Sequence, residues 1–305
     1  ESKTLKIGFD GLPDFSNEGN SKWVNDLKSK DGIDAQAIDL GSTVGPFRAL
    51  VAGDVDMLVD TDAPGISLIM QGNDLRMIAA ADRSSDYILL STPDINKPSD
   101  LEGKKVGTQG PASASLTLAK AALEYAHVDT SKVNFVQVGG TSARIAAMVS
   151  GQIQAGAAHA SDAFNARDKS GLKVLLPMAQ VLPTYEFHML WAKESWLKAH
   201  PNLAQIAVNE FVNSTRWEAD NKQGYIDLSK TNVEGLTDQQ RSDAYDLFKK
   251  VNYFAVNGGM DMASIKSTIA LEQKTGGLPS AGVPDPSKWA DASYVNRYLD
   301  ANGKR

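Results

Sequence analysis

Leu50-Val51-Ala52-Gly53-Asp54-Val55-Asp56-Met57-Leu58-Val59 decides the fold. An apolar helix end meets Gly-Asp and gives way at once to a β-leaning run, so helix, tight turn and strand follow one another without a gap. Working outward, 46–51 has the apolar spacing of a helix with Pro46 in its first turn. Gly41-Ser42-Thr43 closes a strand expected over 34–40, and a helix is expected over 23–28. A first strand over 5–9 stops at Asp10-Gly11-Leu12-Pro13-Asp14. Strand, helix, strand, helix, strand at these intervals predicts a parallel sheet covered by helices.

The same order then returns. A strand is expected over 105–108, a helix over 113–126, a strand over 133–138 closed by Gly139-Gly140-Thr141-Ser142, a helix over 143–149 and a strand over 153–158. Gly53-Asp54-Val55-Asp56 is answered by Gly151-Gln152-Ile153-Gln154, and the 33 positions from Gly8 to Gly41 equal those from Gly107 to Gly140. Two copies of so long a unit predict two similar lobes, since a solenoid needs three or more short repeats. A Pro-bearing linker over 91–99 lies between the copies, and 185–192 is a second candidate for a chain crossing. From Lys193 onward the pattern is helical, over 203–219, 238–251 and 261–274. The division expected is 1–89 plus 193–305 for lobe one and 90–192 for lobe two, with a hinge where the chain crosses.

The chain has 305 residues with 31 Lys+Arg against 37 Asp+Glu, a net charge of −6. It has no Lys/Arg run, so no nucleic-acid partner and no anionic membrane surface are expected. No apolar stretch is long enough to span a bilayer. With no cysteine, disulfides, zinc–cysteine sites and thiol nucleophiles are excluded, which fits an oxidising compartment. The opening Glu1-Ser2-Lys3-Thr4 reads like the trimmed start of a mature chain.

Catalytic patterns are missing. His127, His159, His188 and His200 form no metal-ligand spacing, and there is no nucleophile elbow, phosphate loop or dinucleotide fingerprint. No enzyme activity, cofactor or metal is expected. The positional signal is stronger, because open parallel sheets bind ligands beyond the carboxyl ends of their strands. Those ends carry Leu12, Pro13, Asp14, Phe15, Ser42, Thr43 and Asp62 in lobe one. In lobe two they carry Ala112, Ser113, Ser115, Gly140, Thr141, His159 and Asp162. Arg83 and His188 stand near the crossings as further candidates. Each also has a plainer reading: Ser113 or Ser115 as a helix N-cap, Asp62 as a cap or an amine ligand, His188 as hinge packing.

Lys6-Ile7-Gly8-Phe9, Gly41-Ser42-Thr43, Leu50–Asp56, Asp100-Leu101-Glu102-Gly103-Lys104-Lys105-Val106-Gly107 and Met148–Ala155 together resemble the substrate-binding proteins of ABC importers. The similar branch holds nitrate-, taurine-, alkanesulfonate- and thiamine-pyrimidine-precursor-binding proteins. The resemblance implies a two-lobed α/β periplasmic-binding-protein fold, each lobe a mainly parallel sheet flanked by helices, with the ligand cleft between. It also implies a monomer in the periplasm, or lipid-anchored if a cysteine precedes Glu1, that hands a sulfonate, carboxylate or small heteroaromatic to a membrane permease. Sulfonate binders of that family hold the anion on N–H groups of a Ser/Gly-rich helix start. Here Pro111 removes one such donor. A sensory module is the alternative function, and a hydrolase using His159 and Asp162 a further one. The fungal branch that makes the thiamine pyrimidine uses a cysteine-rich iron motif, which this chain lacks.

Overall fold

The computed structural model describes residues 3–12, 15–41, 45–111 and 113–305. The first unit is β1 (Thr4–Phe9), α1 (Glu18–Ser29), β2 (Asp34–Asp39), α2 (Gly45–Ala52), β3 (Met57–Asp60), α3 (Asp62–Met70) and β4 (Leu75–Ala80). The second is β5 (Ile88–Ser91), β6 (Lys105–Thr108), α4 (Ala114–Tyr125), β7 (Asn134–Gln137), α5 (Thr141–Val149), β8 (Ala155–Ala158), α6 (Ala160–Ser170), β9 (Lys173–Pro177) and α7 (Met178–Val181). The chain returns through β10 (Met189–Lys193). It finishes with α8 (Glu194–Ala199), α9 (Pro201–Asp220), α10 (Lys222–Asn232), α11 (Asp238–Lys250), α12 (Met262–Thr275) and α13 (Ser293–Asn302).

Two five-stranded sheets result, ordered β2-β1-β3-β10-β4 and β7-β6-β8-β5-β9. In each, one strand runs against the other four, β10 in the first sheet and β5 in the second. The duplicated order is the fold expected from the repeated sequence unit. The linker lies elsewhere than the Pro-bearing 91–99. Ile88-Leu89-Leu90-Ser91 is an inner strand of the second sheet, buried at all four positions, so the chain changes sheets over 81–87.

Strand register shows how the sheets face one another. Ile88, the first residue of β5, pairs with Ala158 at the carboxyl end of β8. Met189, the first residue of β10, pairs with Asp60 at the carboxyl end of β3. Both crossings, 81–87 and 182–188, therefore join one carboxyl edge to the other. Those edges are where a ligand meets strand ends and helix N-termini.

The repeated glycines have separate reasons. Gly53 and Gly151 turn the chain out of α2 and α5 at φ 84° and 74°, in the left-handed region that favours glycine. Gly107 is a close approach: a Cβ there would meet Ile153 Cδ1 at 2.5 Å. In the loops after β2 and β7 the glycine of positive φ is Gly41 in the first copy and Gly139, not Gly140, in the second. The second copy is thus one residue shorter here than the equal glycine spacing implies.

One face of the first sheet packs on α1, α9 and α13, around Trp23, Phe211 and Tyr298. The other face packs on α2, α3 and α12, with Trp191 stacked on Trp289. The tail also reaches the second unit: α11 packs on α6, and α12 lies against both α3 and α4. Lys274 of α12 pairs with Glu124 of α4, and Lys120 Nζ donates to Thr275 O at 2.9 Å.

Candidate functional site: the facing carboxyl edges

The crossings are tied by polar groups. Ala81 N donates to His188 O at 2.9 Å and Tyr185 N to Arg83 O at 2.8 Å. Asp82, fully buried, accepts from Phe187 N at 2.6 Å and from His188 N at 3.1 Å. Its Oδ2 lies 2.5 Å from His188 Nδ1, while His188 Nε2 is 3.0 Å from Asn17 Nδ2. An amide nitrogen only donates, so Nε2 accepts and Nδ1 carries the proton given to Asp82. Asp86 does similar work for the second unit. It accepts from Ala160 N at 3.2 Å, at the start of α6, and both its oxygens lie 3.1 Å from His159 Nδ1. Asp86, not His159, supplies the side-chain acceptor that caps α6. Tyr87 packs on His159 at 4.3 Å and on Phe187 at 5.5 Å between ring centroids, giving the hinge an aromatic wall.

The lobe-one edge is acidic. Asp60 closes β3 and is 8% exposed; Oδ1 accepts from Thr61 N at 2.7 Å, and Oδ2 has no hydrogen bond among the described residues. Burial, then the charge of Asp10 at the end of neighbouring β1, pushes its pKa well above the usual carboxylate range. Asp62 opens α3, is 2% exposed, and its Oδ2 has no partner. Burial and then Glu272 raise its pKa as well. Glu272 projects from α12 to accept from Tyr185 Oη at 2.7 Å and Thr117 Oγ1 of α4 at 3.0 Å, so one carboxyl bridges the tail, the hinge and lobe two.

The lobe-two edge offers hydroxyls and helix starts. Ser113 is the N-cap of α4, accepting from Leu116 N, and its Oγ donates to Gly110 O at 2.8 Å. Ser115 Oγ accepts from Gln109 N at 2.8 Å and is 2.9 Å from Ser113 Oγ. Gly140 is the exposed N-cap of α5, and Thr141 Oγ1 accepts from Arg144 Nη2 at 3.1 Å. Arg144 is 1% exposed and donates through Nε to Ala157 O at 2.9 Å. Its stem lies across Gly107 and Gly156, paired in the sheet, where a Cβ on either would come within 3.6 Å of it. Burial lowers its pKa, against the opposing pull of Tyr87 and Asp162.

Of the residues expected from sequence, Ser113, Ser115, Gly140, Thr141, His159 and Asp162 all stand at the lobe-two carboxyl edge, and Asp62 stands at the edge of lobe one. His188 is there too, but 2% exposed and held by Asp82 and Asn17. Leu12 is half-buried against the first apolar cluster. Two candidates are not brought into this group. The Phe15 ring, 1% exposed, packs on Tyr225 and Phe248, because the tail presents an aromatic cluster there. Arg83 is exposed, near Glu186 and Asp261. Pro13, Asp14, Ser42, Thr43 and Ala112 lie outside the described residues. Sequence reading passed over Asp82, Asp86 and Arg144, and from the strand end Asp60-Thr61-Asp62-Ala63 it singled out Asp62 and not Asp60. Asp60 was legible as the last residue of a strand; the others were not, since a polar crossing looks like a surface loop.

Two duplicated sheets with facing carboxyl edges, joined by two short crossings, define the two-lobed binding-protein fold. The NMT1/THI5-like family model matches residues 29–221, more than half of the chain, and the protein belongs to that family. No protein of curated function matches the sequence. Among solved structures, the periplasmic nitrate-binding protein NrtA from Synechocystis is similar at 12% identity and TM-score 0.81, over 99% of this chain and 89% of that one. The alkanesulfonate-binding protein SsuA from Xanthomonas axonopodis, bound to MOPS, is similar at 16% identity and TM-score 0.74, over 96% and 99%. The desulfurization enzyme DSZB shares the fold at 13% identity and TM-score 0.69, over 98% and 99%. Among the described residues no helix is long and apolar enough to cross a membrane.

Proposed function

We propose that the protein is the solute receptor of an ABC importer, closing two lobes on a small organic molecule and delivering it to a membrane permease. The observation that carries this reading is the pair of carboxyl edges facing across 81–87 and 182–188, each lined with polar groups and helix starts. The lobes divide at the two crossings, with residues up to 80 and 189–305 making lobe one and 88–181 lobe two, and they work as a monomer outside the cytoplasmic membrane. Ser113, Ser115, Thr141 and His159 contribute from lobe two, and Asp14, Thr43 and Asp62 from lobe one. Contacts made to both lobes at once favour the closed form, because only that form satisfies them all. A hydrolase built on His159 and Asp162 is not favoured, since the structures this chain resembles are mostly those of binding proteins. A thermal-shift screen of small solutes, followed by small-angle scattering of the best one, tests the reading. A stabilising solute that also compacts the protein is expected; a bound solute with no compaction contradicts lobe closure.

A further inference from the structure

At the lobe-one edge one carboxylate oxygen, Asp60 Oδ2, receives no hydrogen bond from any described residue. Asp60 is 92% buried by its 8% exposure, yet only one of its oxygens is hydrogen-bonded. Asp10 stands beside it at the end of the adjacent strand, and no lysine or arginine among the described residues pairs with Asp60. His188 acts on Asp60 as well, but its Nδ1 faces Asp82 at 2.5 Å. Two residues on, Asp62 repeats the pattern at 2% exposure with a wholly unpartnered Oδ2. A buried carboxylate oxygen without a donor is costly, and two carboxyls side by side are more so. Such an arrangement persists where something brings the donors, as binding sites do at the expense of stability.

We propose that Asp60, backed by Asp10, is a subsite for a protonated nitrogen, so that the solute carried by this receptor bears an ammonium or amidinium group. This deepens the proposed function and rests on it. A metal ion fits less well, because no three His, Asp or Glu groups converge to hold one among the described residues. The cation would meet lobe one, while the rest of the molecule meets the hydroxyls and N–H groups of lobe two. An N⁺–H donor gives Asp60 Oδ2 the charge-assisted hydrogen bond that the fold withholds.

Matched pairs differing by one nitrogen test this on the wild-type protein by calorimetry. Suitable pairs are 2-aminoethanesulfonate and ethanesulfonate, 4-aminobutyrate and butyrate, 1,4-diaminobutane and 1,4-butanediol, and benzamidine and benzamide. Binding is expected only among the nitrogen-bearing members, with the partner at least about tenfold weaker. In D60N the same probe should lose at least about tenfold in affinity, while the ligand-free variant melts no lower than wild type. A des-amino member binding as tightly as its partner, or D60N binding like wild type, overturns the cation subsite and leaves the receptor reading standing. If none of the probes binds, and purified protein carries no small molecule either, the receptor reading falls and the subsite with it.

Discussion

Asp82 Oδ2 lies 2.5 Å from His188 Nδ1, and this buried pair joins the outgoing crossing to the returning one. Asp82 spends its remaining capacity on the backbone N–H groups of Phe187 and His188, so one carboxylate fixes the relative position of two strands of chain. Replacing it should therefore damage more than one hydrogen bond. Asp82→Ala leaves two backbone donors and an imidazole N–H buried without an acceptor, and the expected loss is about 3–5 kcal/mol. Urea denaturation of the variant measures it; a loss below about 1 kcal/mol would place the pair among contacts of no consequence.

Gly107 and Gly156 are neighbours in the second sheet, and both lie beneath the Arg144 stem. Their tolerance should nevertheless differ. A Cβ on Gly107 would strike Ile153 Cδ1 at 2.5 Å, while one on Gly156 would meet nothing closer than Gly107 O at 3.4 Å. Gly107→Ala should cost about 1–3 kcal/mol, and Gly156→Ala clearly less. Equal losses in the two variants would mean that Arg144, which both would touch, sets the packing instead.

Two buried carboxyls give stability a pH slope. Burial holds Glu186 at about 9 and Glu218 at about 8, above their unfolded range. Between that range and those values the folded chain keeps protons that the unfolded chain has released. Stability from these groups is thus fully present only below their usual value of 4.5 and is lost progressively as pH rises from there through 8 to 9. The melting temperature should fall from pH 6 to pH 9, and Glu186→Gln should flatten that fall. A midpoint that rises across the same range contradicts the assignment.

Glu272 meets three parts of the molecule at once, through Tyr185, Thr117 and its coupling to Asp62. Tyr185→Phe removes one donor from a buried carboxyl and should cost about 1–3 kcal/mol. Because α12 touches both α3 and α4, hydrogen exchange should also quicken in both helices. Faster exchange in only one of them would show that α12 does not couple the two.

Much of the fold was legible because helix-glycine-strand junctions recur: 50–59 and 148–158 both read as helix, turn and strand, and both are. The hinge was hidden. Asp82-Arg83-Ser84-Ser85-Asp86 has the composition of a solvated loop, yet Asp82, Ser84, Ser85 and Asp86 are all at most 2% exposed. Asp82 and Ser84 are buried serving backbone groups of the other crossing, Asp86 serves the start of α6 and Ser85 the N–H of Tyr87, which is a tertiary fact invisible to periodicity. The strand 88–91 suffered likewise: an apolar run predicts a buried strand without saying which sheet receives it. At the site, the hydroxyl residues of lobe two stood out by their Gly-rich surroundings. Asp60 was masked by the more obvious helix-opening Asp62, and Arg144 by the expectation that an arginine on a helix faces water.

Native mass spectrometry of the freshly purified protein, before and after mild denaturation, tests the central claim most directly. A receptor of this kind should carry a discrete adduct of small-molecule mass that leaves on unfolding, and its composition should include a basic nitrogen. A bare protein mass that stays bare after incubation with a broad mixture of small solutes would contradict the account.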